Sequence, residues 1–167
     1  FSLVEIYRGG MRGVILTDKV QFVLMFLGFA LLLPAAVVKL GGFGWLAAHL
    51  PPGHLSATGG QGLQAVLVWY FIASATLVEP VFYQRCFAAK DEATARRGLL
   101  IAIGFWMLFD FMTTFCGLYA RAALPELAAA GGPGAQAACP LLAEQLLPPV
   151  AQALFTVGML ATVMSTI

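Results

Sequence analysis

The stretch Glu79 to Gly98 (EPVFYQRCFAAKDEATARRG) separates one apolar run, Leu63 to Val78, from another, Leu99 to Leu118. It holds Arg85, Lys90, Arg96 and Arg97, four of the nine Lys and Arg residues in the chain. Two apolar runs joined by a short basic connector form a helical hairpin across a bilayer, with the connector on the cytoplasmic side where Lys and Arg collect. A water-soluble core is excluded by composition. Hydrophobic residues make up 60% of the chain and charged residues 10%, whereas soluble domains carry about 25% charged residues.

The formal net charge is +1, so no electrostatic case exists for a nucleic-acid partner. What matters is where the charges sit. Cys86, Cys116 and Cys139 have no paired spacing and read as small apolar residues. The chain begins at Phe1 and stops at Ile167 within an apolar run, which reads as an internal piece of a larger membrane protein.

In chain order, Phe1 to Gly13 is too short to cross a bilayer, which takes about 20 apolar residues. It reads as a helix tail with a turn at Gly9-Gly10. A first span follows from Val14 to Leu40, with Thr17, Asp18 and Gln21 in its opening turns and Pro34 in its outer part. Asp18 suits a helix N-terminus and could share a face with Gln21; a polar helix entry outweighs a ligand role. Gly41 to Gly62 is an outer loop, in which Phe43 to Leu50 forms a short interfacial helix anchored by Trp45. His49 and His54, across Pro51-Pro52, read as surface histidines rather than a metal site.

The second span, Leu63 to Tyr83, carries Glu79-Pro80 near its inner end. Proline removes a backbone donor and crowds the turn before it, so this span breaks there. Carbonyls freed at membrane depth are tolerated only inside protein or beside water, and transporters use such breaks to bind solutes and ions. Ser74, Thr76 and Glu79 are the polar side chains at the break. Glu79 has two readings, a cavity carboxylate or a helix-end residue paired with Arg85.

The third span, Ala95 to Ala122, carries Asp110 near its middle. The nearest cations on the same helix are eleven or more residues away, roughly 16 Å at about 1.5 Å per residue. Asp110 is therefore a candidate coupling carboxylate; a protonated acid hydrogen-bonded to a neighbouring helix, aided by Thr113 or Thr114, is the alternative. Residues 125–147 form a second outer loop with short helical pieces, and the fourth span runs from Pro148 to the end of the chain. Thr162, Ser165 and Thr166 are spaced i, i+3, i+4 and share a helix face. Hard cations take several oxygens, which hydroxyls and a carbonyl one turn earlier can supply. Small-residue packing and back-bonding to the helix explain these hydroxyls equally well.

Three segments resemble the sodium:solute symporter family. GGMRGVILTDKVQF resembles its Thr-Asp helix entry, EPVFYQRCFAAKDEATARRG its Pro-aromatic, Gln-Arg and basic helix start, and LLPPVAQALFTVGMLATVMST its run into a sodium-site Met-Ser-Thr. Their order and spacing cover nearly the whole chain. The resemblance implies an all-α polytopic membrane protein whose four spans belong to a leucine-transporter-type core of five-plus-five inverted repeats. It implies sodium at the side chains of Ser165 and Thr166 and the carbonyl of Thr162. The second span would be the broken helix facing the substrate cavity, with Pro80 at the break. The resemblance gives Asp110 no role.

The charges fit this topology. Arg8, Arg12, Lys19, Arg85, Lys90, Arg96 and Arg97 fall inside and Lys39 and Arg121 outside, the bias expected of cytoplasmic loops. The expectation is sodium-coupled symport of a small polar organic solute in a bacterial inner membrane. Na+ is the coupling ion, no cofactor is expected, and the partners are lipid and the remaining helices of the same transporter. A channel or accessory subunit accounts for the spans but not for the motifs. A membrane enzyme using Asp110 and Glu79 lacks any accompanying nucleophile or metal motif, so no enzyme is expected.

Overall fold

The computed structural model describes residues 2–56, 58–129 and 131–166; for 2–12, 81, 82, 85, 128, 129, 131, 133 and 164–166 only the backbone is described. These residues form helices and turns, with no strand among them. The helices are α1 (Ser2–Leu40), α2 (Gly42–His49), α3 (Leu63–Ala73), α4 (Pro80–Phe87), α5 (Glu92–Ala123), α6 (Pro125–Ala129), α7 (Gly131–Leu146) and α8 (Pro149–Thr166). They fall into two units, one of residues 1–50 with 111–167, the other of residues 51–110.

The first unit is built on α1 and α8, which pack against each other more extensively than any other pair of helices. Contacts descend along α1 as they ascend along α8, so the two run antiparallel. Lys39 at the end of α1 donates from Nζ to the carbonyl of Leu146 at 2.7 Å, and Phe29 meets Phe155 edge to face with ring centroids 5.3 Å apart. Leu24 lies against Gly158. Glycine lets the backbones approach where Gly28 faces Phe155 and Gly158 faces Leu24, the small-residue packing that apolar helices use in a bilayer, where no hydrophobic drive separates helix from lipid. Leu32 and Ala36 of α1 and Leu142 and Ala143 of α7 are buried beside them. The Lys39 contact also satisfies one of the carbonyls that the end of α7 would otherwise leave open.

The turn from α1 into α2 passes through Gly41 and Gly42 at φ 117 and 72, conformations in which a Cβ is penalised. It folds α2 back so that Leu46 is buried and Trp45 stacks on Tyr119, with ring planes 7° apart and centroids 6.3 Å apart. Phe43 meets Phe115 edge to face at 5.4 Å.

The second unit contains turns, α3, α4 and the first part of α5. After Ala73 the α-helix tightens into a 3-10 turn, Ser74–Val78, and Glu79 is extended at φ −73, ψ 122. Pro80 then starts α4, a position where its missing N–H costs nothing. Asp91 caps α5, its Oδ1 accepting the Thr94 N–H at 2.7 Å.

Several expectations are corrected. The helix of the first span begins at Ser2, and no turn interrupts it at Gly9-Gly10. Glycine permits a turn but does not force one, and each costs a helix only about 1 kcal/mol relative to Ala. The second span breaks at Glu79-Pro80 as its proline requires, and a 3-10 turn, Ser74–Val78, before that break divides it into three pieces rather than two. The outer loop 125–147 is largely α-helical, and Pro140 lies inside α7. Ala, Leu, Glu and Gln favour helix there, and burial of Leu142, Ala143 and Leu146 stabilises it.

Candidate functional site

Two places concentrate polar groups on otherwise apolar helices. The first is the break between α3 and α4. Ser74 is exposed, and its hydroxyl donates to the Tyr70 carbonyl at 3.0 Å, the back-bonding pattern that loosens a helix. Thr76 is half-buried and its carbonyl accepts the Glu79 N–H at 3.4 Å. Glu79 and Pro80 are both exposed. Tyr83, which sequence reading passed over, donates its phenol O–H to the carbonyl of Leu77 in the 3-10 turn. That contact answers a backbone acceptor that the helix no longer satisfies. The pairing of Glu79 with Arg85 lies outside the described residues, since the Arg85 side chain is not among them. Around the break, Trp69, Tyr70 and Phe71 are exposed, an apolar surface suited to lipid or to other helices rather than to water.

The second place is the part of the α1–α8 pair that holds Thr17, Asp18 and Gln21 on α1 and Thr162 on α8. Thr162 is half-buried, and its hydroxyl donates to the Gly158 carbonyl at 3.0 Å. Thr17 on α1 does the same toward Gly13 at 2.8 Å. The backbone of Ser165 and Thr166 completes α8, but their side chains lie outside the described residues. Asp18 is half-buried. Gln21 was read as part of a polar helix entry; in the structure its Oε1 is buried and accepts no hydrogen bond. No sequence signal marked that atom as buried.

Asp110 is exposed on α5, and Thr113 is half-buried on the same helix. Elsewhere, Asp91 is held below the usual carboxylate range by the Thr94 hydroxyl and then by the Thr94 N–H. His49 stacks on Trp45 at 4.2 Å and its Nδ1 meets the Trp45 carbonyl at 2.8 Å. Among the described residues, no group of three or more His, Cys, Asp or Glu side chains is placed to hold a metal.

Within the described residues, Gly13–Leu40 and Glu92–Ala123 are long and apolar enough to cross a membrane, with 28 and 32 residues. At about 1.5 Å per residue each exceeds a hydrocarbon core of about 30 Å. The model of the sodium:solute symporter family matches residues 3–167. The chain belongs to the sodium:solute symporter family. Among curated proteins it is similar to the sodium/pantothenate symporter of Haemophilus influenzae, with 26% identity over 96% of this chain and 34% of that protein. It is similar to the Escherichia coli sodium/pantothenate symporter at 26% identity, over 95% of this chain and 33% of that protein. The chain thus spans about a third of the length of these relatives. No solved structure matches it significantly.

Proposed function

We propose that this chain is part of a sodium-coupled symporter that carries a small polar organic solute across a bacterial inner membrane by alternating access. The family match along nearly the whole chain carries the reading. Pantothenate, the solute in the names of both relatives, is the first to test. The four apolar segments, near 14–40, 63–83, 95–122 and 148–167, cross the membrane with the Arg85–Arg97 connector inside, and belong to a core of five-plus-five inverted repeats.

Sodium sits at the inner half of α8, on the side chains of Ser165 and Thr166 and the carbonyl of Thr162. It is held also by helices that this chain does not include. Neutral oxygens hold a monovalent cation firmly enough to couple and weakly enough to release. The ion then stabilises one of two conformations and shifts their population by its difference in affinity for them. The break around Pro80 supplies the solute cavity, with Ser74, Thr76 and Glu79 as its polar groups, and Asp110 is the coupling carboxylate. A helix broken where polar side chains gather supports this assignment.

The test is uptake of labelled pantothenate by the full-length transporter in proteoliposomes. An inward sodium gradient should drive accumulation that choline cannot replace. Uptake indifferent to sodium would overturn the coupling; sodium-driven uptake of other solutes alone would overturn pantothenate as the solute.

A further inference from the structure

Where α5 ends, the chain folds into α6 and α7 around a half-open cavity of about 430 Å³. Small-ligand pockets have volumes in this range, roughly 300–1,000 Å³. The walls are nearly bare of side chains. Gly117 and Ala120 supply them on α5, Gly134 and Ala138 on α7, and Leu127 adds an apolar wall from α6. Gly117, Ala120 and Arg121 are spaced i, i+3, i+4 and so share one face of α5. Among the described residues, Arg121 is the one charged residue that lines the cavity.

The Arg121 guanidinium is held at the corner where α5 meets α6, its Nη1 donating to the Pro125 carbonyl at 3.5 Å. That bond is long and engages one of five N–H donors. Among the described residues this carbonyl is its only hydrogen-bond partner, and Glu126, exposed on α6, does not line the cavity. Arg121 lies in the last turn of α5, the 32-residue helix long and apolar enough to cross a membrane. The end of such a helix lies at the level of the lipid headgroups. An apolar hollow with an under-used guanidinium at that level fits an anion that carries an apolar body. A polar solute would leave its other groups unmet against these walls.

We propose that this cavity holds one anionic phospholipid, with its phosphate on the Arg121 guanidinium and the first methylenes of an acyl chain against Gly117, Ala120 and Ala138. Guanidinium matches phosphate with two parallel N–H···O bonds, and basic pockets between membrane helices bind lipid headgroups. The bound lipid ties the end of α5 to α6 and α7. Binding needs α5 to cross the membrane, but neither the sodium site nor the identity of the solute.

The test titrates phosphatidylglycerol into the delipidated full-length transporter in a non-ionic detergent and counts retained lipids by native mass spectrometry. Phosphatidylcholine with the same acyl chains controls for net charge. Wild type should retain one phosphatidylglycerol that Arg121→Gln holds roughly 10- to 150-fold more weakly, the range for a lost charged hydrogen-bond partner. Arg121→Lys keeps the charge but not the planar fork and should fall between them. Ala138→Leu fills the cavity while leaving Arg121 in place, and should weaken the same lipid at least about tenfold. If Ala138→Leu is not recovered folded, Ala135→Leu, at an exposed position on the same wall, takes its place.

Unchanged retention in Arg121→Gln, or equal retention of phosphatidylcholine, would overturn the proposal. Loss in Arg121→Gln without loss in the cavity-filling variant would reduce Arg121 to a side chain that reaches any nearby headgroup, and would overturn the cavity as the site. Displacement of the lipid by glycerol phosphate, which has the headgroup but no tail, would assign the cavity to a free anion instead. None of these outcomes is read from uptake, so failure of sodium-coupled symport would leave the lipid result as it stands.

Discussion

Gly158 on α8 stands so close to Leu24 on α1 that a Cβ added at 158 would lie 2.8 Å from the Leu24 carbonyl oxygen. The atom in the way is backbone, which cannot rotate aside, so a larger residue must push the helices apart. Gly158→Ala should therefore destabilise the protein by about 1–3 kcal/mol, the usual cost of overpacking. Gly28→Ala is the internal control, because its Cβ would meet Phe155 no closer than 3.4 Å. Thermal unfolding of the two variants in one detergent measures the difference. Equal melting temperatures would mean that the contact is not a close one in the membrane protein.

At the helix break, the phenol of Tyr83 answers the carbonyl of Leu77, and Pro80 sets the start of α4. Tyr83→Phe removes only the donor and should lower transport while leaving membrane insertion intact. The expected loss is about 5- to 150-fold in kcat/KM if the 3-10 turn positions the solute, from an unmet acceptor worth about 1–3 kcal/mol. Pro80→Ala restores the missing N–H and should also impair uptake. Wild-type rate and affinity in both variants would make the break purely structural.

How much of this was legible in the sequence depended on whether a residue acts on its own neighbours. Pro80 acts locally, through a missing N–H and a crowded preceding turn, and the chain is extended at Glu79 as that chemistry requires. Gly41 and Gly42 likewise end α1 where they stand, and the short helix around Trp45 follows. Gly9-Gly10 does not make a turn, because glycine reports a local preference that helix-forming neighbours can override. The contact of Gly158 with Leu24 and the buried oxygen of Gln21 were invisible. The contact depends on which helix packs opposite, and the two helices are separated by most of the chain. Thr162 shows the limit from the other side. Its spacing from Ser165 was readable, but the commitment of its proton to Gly158 was not.

Asp91 gives a pH prediction whose sign follows from its cap. Thr94 holds the carboxylate below its ordinary range, so the folded pKa lies below the unfolded one. The cap's contribution to stability is complete above the ordinary carboxylate pKa, about 3.9. It is lost as pH falls through the lowered folded value. Protection of the Thr94 amide, its exchange taken relative to the intrinsic rate at each pH, should therefore be high at neutral pH and fall in acid, more steeply than for amides in the middle of α5. Asp91→Ala should be poorly protected at Thr94 at every pH, and Asp91→Asn protected with no loss in acid. An identical loss of protection in Asp91→Asn would assign the effect to another group.

Asp110 separates an ionising role from a structural one. Asp110→Asn keeps the size and hydrogen-bonding capacity of the side chain and removes its charge. If the carboxylate couples transport, the variant should lose at least about tenfold in uptake and lose any pH dependence of uptake between about pH 5.5 and 8.5. Normal uptake across that window would leave Asp110 as a polar packing residue.

The α8 hydroxyls carry the strongest claim of the proposed mechanism. Ser165 and Thr166 are adjacent, and the Thr162 carbonyl lies one turn before them, so three oxygens can converge at one level of the helix. No acid lies on α8 itself, which disfavours calcium or magnesium, since these draw on carboxylates. The Thr162 hydroxyl donates to the Gly158 carbonyl, and the proposed site takes the carbonyl of Thr162 rather than its side chain. Thr162→Val should accordingly keep wild-type sodium dependence, while Ser165→Ala and Thr166→Ala should each raise half-saturating sodium roughly 5- to 150-fold, the loss of about 1–3 kcal/mol of ligand contact. Solute affinity at saturating sodium should change far less in all three. A shift in Thr162→Val equal to that in Ser165→Ala would place its hydroxyl, not its carbonyl, on the ion.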